Sequence, residues 1–194
     1  MESDLQVLKA MVDSGMPIPD SAWKDFASIW SPFAAGRKQI LTEAGSAERY
    51  LYFVLEGTQR VFYLDEHGRE ATLIFTYAPS FGGVLDAMMS GKPSRFSYQT
   101  LSPSRFLRTT YVQLDLMRQS HTSIADFMHC SLGAVVGGLL ERMAELQCFS
   151  SEEKFRSLLS RSPHILQQVP HKYLANYLGI DPTNFSKLIN SVVI

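Results

Sequence analysis

The chain has 194 residues, 45% of them hydrophobic and 19% charged, with a formal net charge of −1. These values exclude a disordered or low-complexity polyelectrolyte, and the length allows one large domain or two small ones around a real core. They also exclude a surface that attracts polyanions everywhere, so any nucleic-acid site has to be a local patch.

The acidic start Met1-Glu2-Ser3-Asp4 reads as neither a signal nor a transit peptide. Leu5, Leu8, Met11 and Val12 then fall at helical spacing, and after Pro17 and Pro19 a second segment, 20–31, carries Trp23, Phe26, Ala27 and Trp30. Both predict short amphipathic helices. From Phe33 to Tyr111 the pattern changes to β-type runs at 37–42, 51–56, 59–64, 70–77, 96–101 and 105–110, the spacing of an all-β barrel or sandwich. Glu56-Gly57 joins two of these runs closely, Asp65-Glu66-His67-Gly68 closes a hairpin, and Pro79-Ser80-Phe81-Gly82-Gly83 breaks the pattern.

After Thr110 the chain reads helical, first over 113–119 and then over about 122–147. Ala125, His129, Leu132, Val136, Leu139, Met143 and Leu146 step by alternating fours and threes, the seam spacing of a coiled coil. Gly133, Gly137 and Gly138 permit close backbone approach. The seam predicts a homodimer, with packing on the chain's own β-domain as the alternative. The most apolar run, Leu132–Leu140, ends at Glu141, short of the roughly 18 residues of a membrane span, so no membrane is expected as a partner. Cys130 and Cys148 form no CxxC pair, which excludes a disulfide scaffold or a Cys-ligated metal cluster. They are expected to be buried reduced thiols in a cytoplasmic protein.

Residues 151–194 open on a helix at 152–159, with Ser150 or Ser151 as cap. This region holds five basic residues (Lys154, Arg156, Arg161, Lys172, Lys187) against three acids (Glu152, Glu153, Asp181), although the chain as a whole is slightly acidic. Within it, 170–190 reads as two short helices around a tight turn. Tyr173, Leu174, Tyr177 and Leu178 form an apolar face, Ala175 allows a close crossing, and Gly179 supplies the left-handed residue that ends the first helix. Asp181 caps the second, Pro182 opens it, and Phe185, Leu188 and Ile189 form its buried face. The outward positions are Thr183, Asn184, Ser186, Lys187 and Asn190, none acidic and all able to donate to base edges or phosphates. With His171 and Lys172 on the first helix, these are the candidate DNA-binding residues. An ordinary αα-hairpin shares the apolar pattern; the acid-free second helix favours DNA.

The stretch VPHKYLANYLGIDPTNFSKLI resembles the helix-turn-helix of the Crp/Fnr superfamily of transcription regulators, and the resemblance extends over nearly the whole chain. It implies an α+β protein: a β-roll sensor of cyclic-nucleotide-binding, jelly-roll type over 1–120, a dimerisation helix over 121–149, and a helix-turn-helix domain over 150–194. It places Thr183, Asn184, Ser186, Lys187 and Asn190 in the major groove, Ser186-Lys187 matching the family's Ser-Arg or Gly-Arg pair. Thr183 stands where the best-known members have a base-reading Glu, so their operator sequence does not transfer. The chain stops at Ile194 without the family's β-hairpin wing, which resembles a wingless subgroup associated with Bacteroidetes.

The same resemblance locates an effector pocket at Phe81, Gly82, Gly83, Val84, Ser94, Arg95 and Phe96. Gly83 stands where cyclic-AMP-binding members have the Glu that holds the ribose, and Ser94 where they have the Arg that holds the cyclic phosphate. Arg95, one residue on, would face the other side of an alternating strand. Cyclic AMP is therefore disfavoured, and no cofactor or metal is expected. The Gly82-Gly83 backbone, with Arg95 or Lys92 as countercharge, could instead hold another small anion, or could be a plain turn. His67, His121 and His129 read as turn or helix-surface residues rather than haem ligands. Without a GxSxG, P-loop, HExxH or GxGxxG motif, no enzyme is expected. The expected function is that of a dimeric, sequence-specific transcription regulator, with a palindromic DNA operator, an unidentified small-molecule effector and RNA polymerase as partners. The alternative is a ligand-binding or interaction module that no longer binds DNA.

Overall fold

The structure, a computed structural model, describes residues 1–191. Helix α1 (Glu2–Gly15) buries Leu8 and Val12, and α2 (Asp20–Ser28) buries Ala22 and Phe26. Eight strands follow in two antiparallel sheets. One takes β1 (Ser31–Ala35), β8 (Ser104–Thr110), β3 (Tyr50–Glu56) and β6 (Ser80–Gly82) in that spatial order; the other takes β2 (Ile40–Thr42), β7 (Ser97–Thr100), β4 (Thr58–Leu64) and β5 (Glu70–Tyr77).

The strands at 70–77 and the long β3 and β4 runs lie where the sequence predicts them, but β1 and β6 were not expected. Each is short, each pairs along one side only, and β6 falls inside the stretch read as a pattern break. Glu56-Gly57 joins β3 to β4 closely, as expected, but the two strands belong to different sheets, and Gly57 (φ 86) crosses between them where a Cβ would collide with Pro103 and Ser104.

β3 is apolar on both faces because both are covered. Tyr52 and Val54 point between the sheets with Val61, Tyr98 and Phe106, whereas Leu51 and Phe53 face a helical layer with Leu8, Phe26, Trp30 and Leu107. That layer is completed by α4 (Tyr111–Ser120), capped by Thr110 and Gln113, and by the first turns of α5 (Thr122–Cys148), which bury Ile124 and Phe127. A short α3 (Leu85–Ser90) follows β6. The C-terminal core is separate: α6 (Ser151–Arg161), capped by Ser150 and Glu153, α7 (Ile165–Gln168), α8 (His171–Leu178) and α9 (Pro182–Ser191) close over Phe155, Leu158, Leu174, Leu178 and Phe185.

Beyond Phe127, α5 departs from two expectations. No element among the described residues covers its ridge, so Val136 is 55% and Met143 54% exposed, with Leu139, Leu140 and Leu146 also exposed. Cys130 and Cys148, expected to be buried, are exposed because they sit on this uncovered length of helix. By length and composition α5 is apolar enough to cross a membrane, contrary to the reading of its shorter apolar run. Its first turns, however, are packed into the helical layer, and Arg142 and Glu145 on its last turns are buried against α6 and α8. The chain ending beyond Ser191, on which the expectation of a wingless subgroup rests, lies outside the described residues.

Candidate functional site

Two regions carry polar chemistry: the face of α9 and a cleft between the β-roll, α5 and α6. On α9, the Asp181 carboxylate accepts from the backbone N–H of Thr183 (2.8 Å) and Asn184 (3.3 Å), which fixes the first turn. Gly179, at φ 64 and ψ 37, terminates α8, and the N–H of Ile180 returns to the Ala175 carbonyl at 3.0 Å. Phe185 and Leu188 then point inward, and Thr183, Asn184, Ser186, Lys187 and Asn190 all point to solvent on one acid-free surface. Ser186 and Asn190 bond their own helix's carbonyls, whereas the Lys187 ammonium has no acidic partner among the described residues. His171 and Lys172 are exposed at the start of α8, the His171 ring against Phe185 and the Lys172 ammonium 4.5 Å from the Tyr173 ring.

The inner side of α8 is fastened to the roll by residues that sequence reading did not single out. The Asn176 side chain accepts from the N–H of Thr72 (2.5 Å) and donates to the carbonyl of Glu70 (2.7 Å), completing the open edge of β5 as a neighbouring strand would. Beside it the Arg60 guanidinium lies between the Phe62 ring (4.1 Å) and the Tyr173 ring (3.9 Å), with both Nη atoms on the Glu70 carboxylate at 2.6 and 2.9 Å. The Tyr77 and Ser162 hydroxyls bond each other. No local pattern announces the contacts between the roll and the C-terminal helices, because Thr72 and Asn176 lie 104 residues apart in sequence and Tyr77 and Ser162 lie 85 apart.

A second fastening joins α5 to α6 and α8. The buried Glu145 carboxylate accepts from Arg142 (3.0 Å), from both Nη atoms of Arg161, and from Ser157 (2.6 Å), while Arg142 also donates to the Tyr177 carbonyl. The Arg161 hydrogen bonds, outweighing the cost of burial, hold the carboxyl down at about 2.

The cleft of about 730 Å³ lies along α5. Its walls are Ile74, Thr76, Phe96 and the turn Phe81–Val84 on the roll, and Leu132, Val136 and Leu139 on the helix; Arg142, Arg161, Tyr77 and Ser162 stand at one end. Five of the seven predicted pocket residues, Phe81, Gly82, Gly83, Val84 and Phe96, therefore line it. Ser94 and Arg95 do not. Ser94 is buried and bonded to Phe96, and Arg95 is exposed, 6.0 Å from the Tyr63 ring.

Next to the Gly82-Gly83 backbone, a carboxylate of the chain itself already holds the N–H of Val84. The buried Glu48 carboxylate accepts from the N–H of Val84 at 3.1 Å, from the Thr42 hydroxyl at 2.5 Å and from two further backbone N–H groups. Its position before β3 gave no sign of this, since it is brought to the turn by the roll. The Tyr98 hydroxyl occupies the space over Gly82 and bonds Thr76 at 3.0 Å; burial pushes the Tyr98 and Tyr52 phenols well up, so both stay neutral.

Residues 33–121 match the cyclic nucleotide-binding domain family. No curated protein matches the chain. Among solved structures, FixK2 of Bradyrhizobium japonicum is 15% identical, with 84% of this chain and 83% of that one covered at a TM-score of 0.74. The c-di-GMP-responsive global regulator CLP of Xanthomonas campestris is 14% identical (89% and 90% covered, TM-score 0.64), and the catabolite activator protein of Thermus thermophilus 18% identical (90% and 83%, TM-score 0.56). Residues 33–121 are thus similar to the cyclic nucleotide-binding domain, and the chain shares the fold of these solved structures.

Proposed function

We propose that the protein is a dimeric, sequence-specific DNA-binding transcription regulator of the cytoplasm, whose effector pocket is not built for cyclic AMP. The observation that carries this reading is the exposed, acid-free row Thr183, Asn184, Ser186, Lys187 and Asn190 on a helix capped and anchored as the second helix of a helix-turn-helix. The uncovered ridge of α5 supports pairing of two copies, which would present two such helices to successive major grooves about 34 Å apart. The Glu48 carboxylate, the absence of a side chain at Gly83 and the absence of Arg95 from the cleft lining argue against a cyclic phosphate and ribose at the turn.

The test is selection of genomic fragments by the purified protein at two salt concentrations, followed by affinity measurement on the recovered site. The expected result is a palindromic site. Lys187→Ala should weaken binding and lower the salt slope by about one, whereas Thr183→Ala should relax sequence preference by about 1–3 kcal/mol at one position in each half-site. Fragments recovered without sequence preference would overturn the reading.

A further inference from the structure

The two ends of the cleft carry opposite charge. At the roll end the N–H of Val84 is held by Glu48, Asp86 stands on the rim, and Arg95 does not line the cleft. An anionic head there would meet two carboxylates and no cation. At the other end Arg142 and Arg161 share a single buried acid, Glu145, and the Arg161 side chain is 44% exposed. The Arg161 guanidinium spends both Nη groups on Glu145, so its Nε–H remains to be used, and the paired Tyr77 and Ser162 hydroxyls stand beside it on the lining. Glu141, the next acid along α5, is exposed and does not line the cleft.

Between the ends the walls are apolar: Leu132, Val136 and Leu139 face Ile74, Phe96 and Met89. From Leu132 to Arg142 the helix rises on the order of 15 Å. A ribose or a second charged group would lose its hydration there without gaining a partner. We infer that the cleft binds a monocarboxylate with an extended apolar body, its carboxylate at Arg161, Tyr77 and Ser162 and its body along Leu132, Val136 and Leu139. Such a ligand points its charge away from the turn that holds the phosphate in cyclic-AMP-binding relatives. Its body covers the cleft side of the ridge whose outer side is free for a partner helix, so occupancy biases how α5 packs. The consequence for DNA rests on the regulator reading above; the binding does not.

The experiment is calorimetric titration of the full chain with dodecanoate, dodecanol and dodecyltrimethylammonium, each below its micelle concentration. One dodecanoate per chain is expected, about tenfold tighter than dodecanol, with the ammonium weakest. Arg161→Gln should erase the preference for acid over alcohol and leave dodecanol binding in place, and Met89→Glu should weaken both. Because Arg161 also bonds Glu145, Tyr77→Phe combined with Ser162→Ala, which leaves every ion pair intact, should lower the same preference. Equal affinity for acid and alcohol, a preference that survives both sets of substitutions, or no saturable binding of any of the three overturns the inference. Saturable binding of dodecanoate in a protein that selects no DNA site would leave the cleft assignment standing and remove the regulator reading. Selective DNA binding without dodecanoate binding would do the reverse.

Discussion

At the scale of single residues, Gly83 limits which side chain the turn beside the cleft can carry. It sits at φ 124, and a Cβ there would lie 3.1 Å from the Tyr50 carbonyl and 3.7 Å from the Glu48 carboxylate. The acid that the family resemblance leads one to expect at this position would therefore meet the Tyr50 carbonyl and the Glu48 carboxylate. Gly83→Glu is expected to cost about 1–2 kcal/mol in backbone strain, to place a second carboxylate beside Glu48, and to show no cyclic-AMP binding; thermal melting and calorimetric titration check both parts. The glycine itself is visible in the sequence. Glu48 is not: it reads as a surface acid in a polar loop, and only the folding of the roll brings it to the N–H of Val84. Asn176 behaves likewise, legible as a polar residue on an amphipathic helix but not as the side chain that completes the edge of β5.

At the scale of elements, periodicity read the long helices and the paired strands well and failed on the short ones. β6 is three residues held on one side by β3, too short for a period-two pattern to register, and α7 is a single turn. The residues that pack α5 on its own chain are Ile124, Phe127, Arg142 and Glu145, all off the seam read as a coiled coil. What the ridge does is tested by Met143→Glu, since Met143 is 54% exposed and does not line the cleft. The variant should fold with an unchanged melting temperature at low concentration and sediment as a monomer where the parent chain sediments as a dimer. A parent that is monomeric throughout would remove the dimer from the reading.

At the scale of the whole molecule, Glu145 ties α5 to the C-terminal helices, and its ionisation carries a pH signature. The carboxyl is ordinary in the unfolded chain, near 4.5, and held down at about 2 in the folded one. Its contribution is therefore complete above pH 4.5 and is lost as pH falls through about 2. Allowing for solvent screening at half-exposed Arg161, that contribution is about 2 kcal/mol. Glu145→Gln should lower stability near neutral pH by at least that amount, because two arginines lose their common acid, and should flatten the fall in stability between pH 4.5 and 2. Urea midpoints across that range measure it; an unchanged acid limb would remove Glu145 from the linkage.

The sequence by itself determined the order of the elements, the roll followed by a long helix and a capped αα pair, because hydrophobic period, capping residues and Gly179 act over a few positions. It also determined that the outer row of α9 carries no acid. The tertiary structure decided which groups meet: Glu48 with the turn, Asn176 with β5, Arg60 with α8, Glu145 with Arg161, and the opposite charge of the two cleft ends. Those encounters join residues 16 to 113 positions apart, and a buried polar group finds its partner through the packing of whole elements, which leaves no periodic trace along the chain.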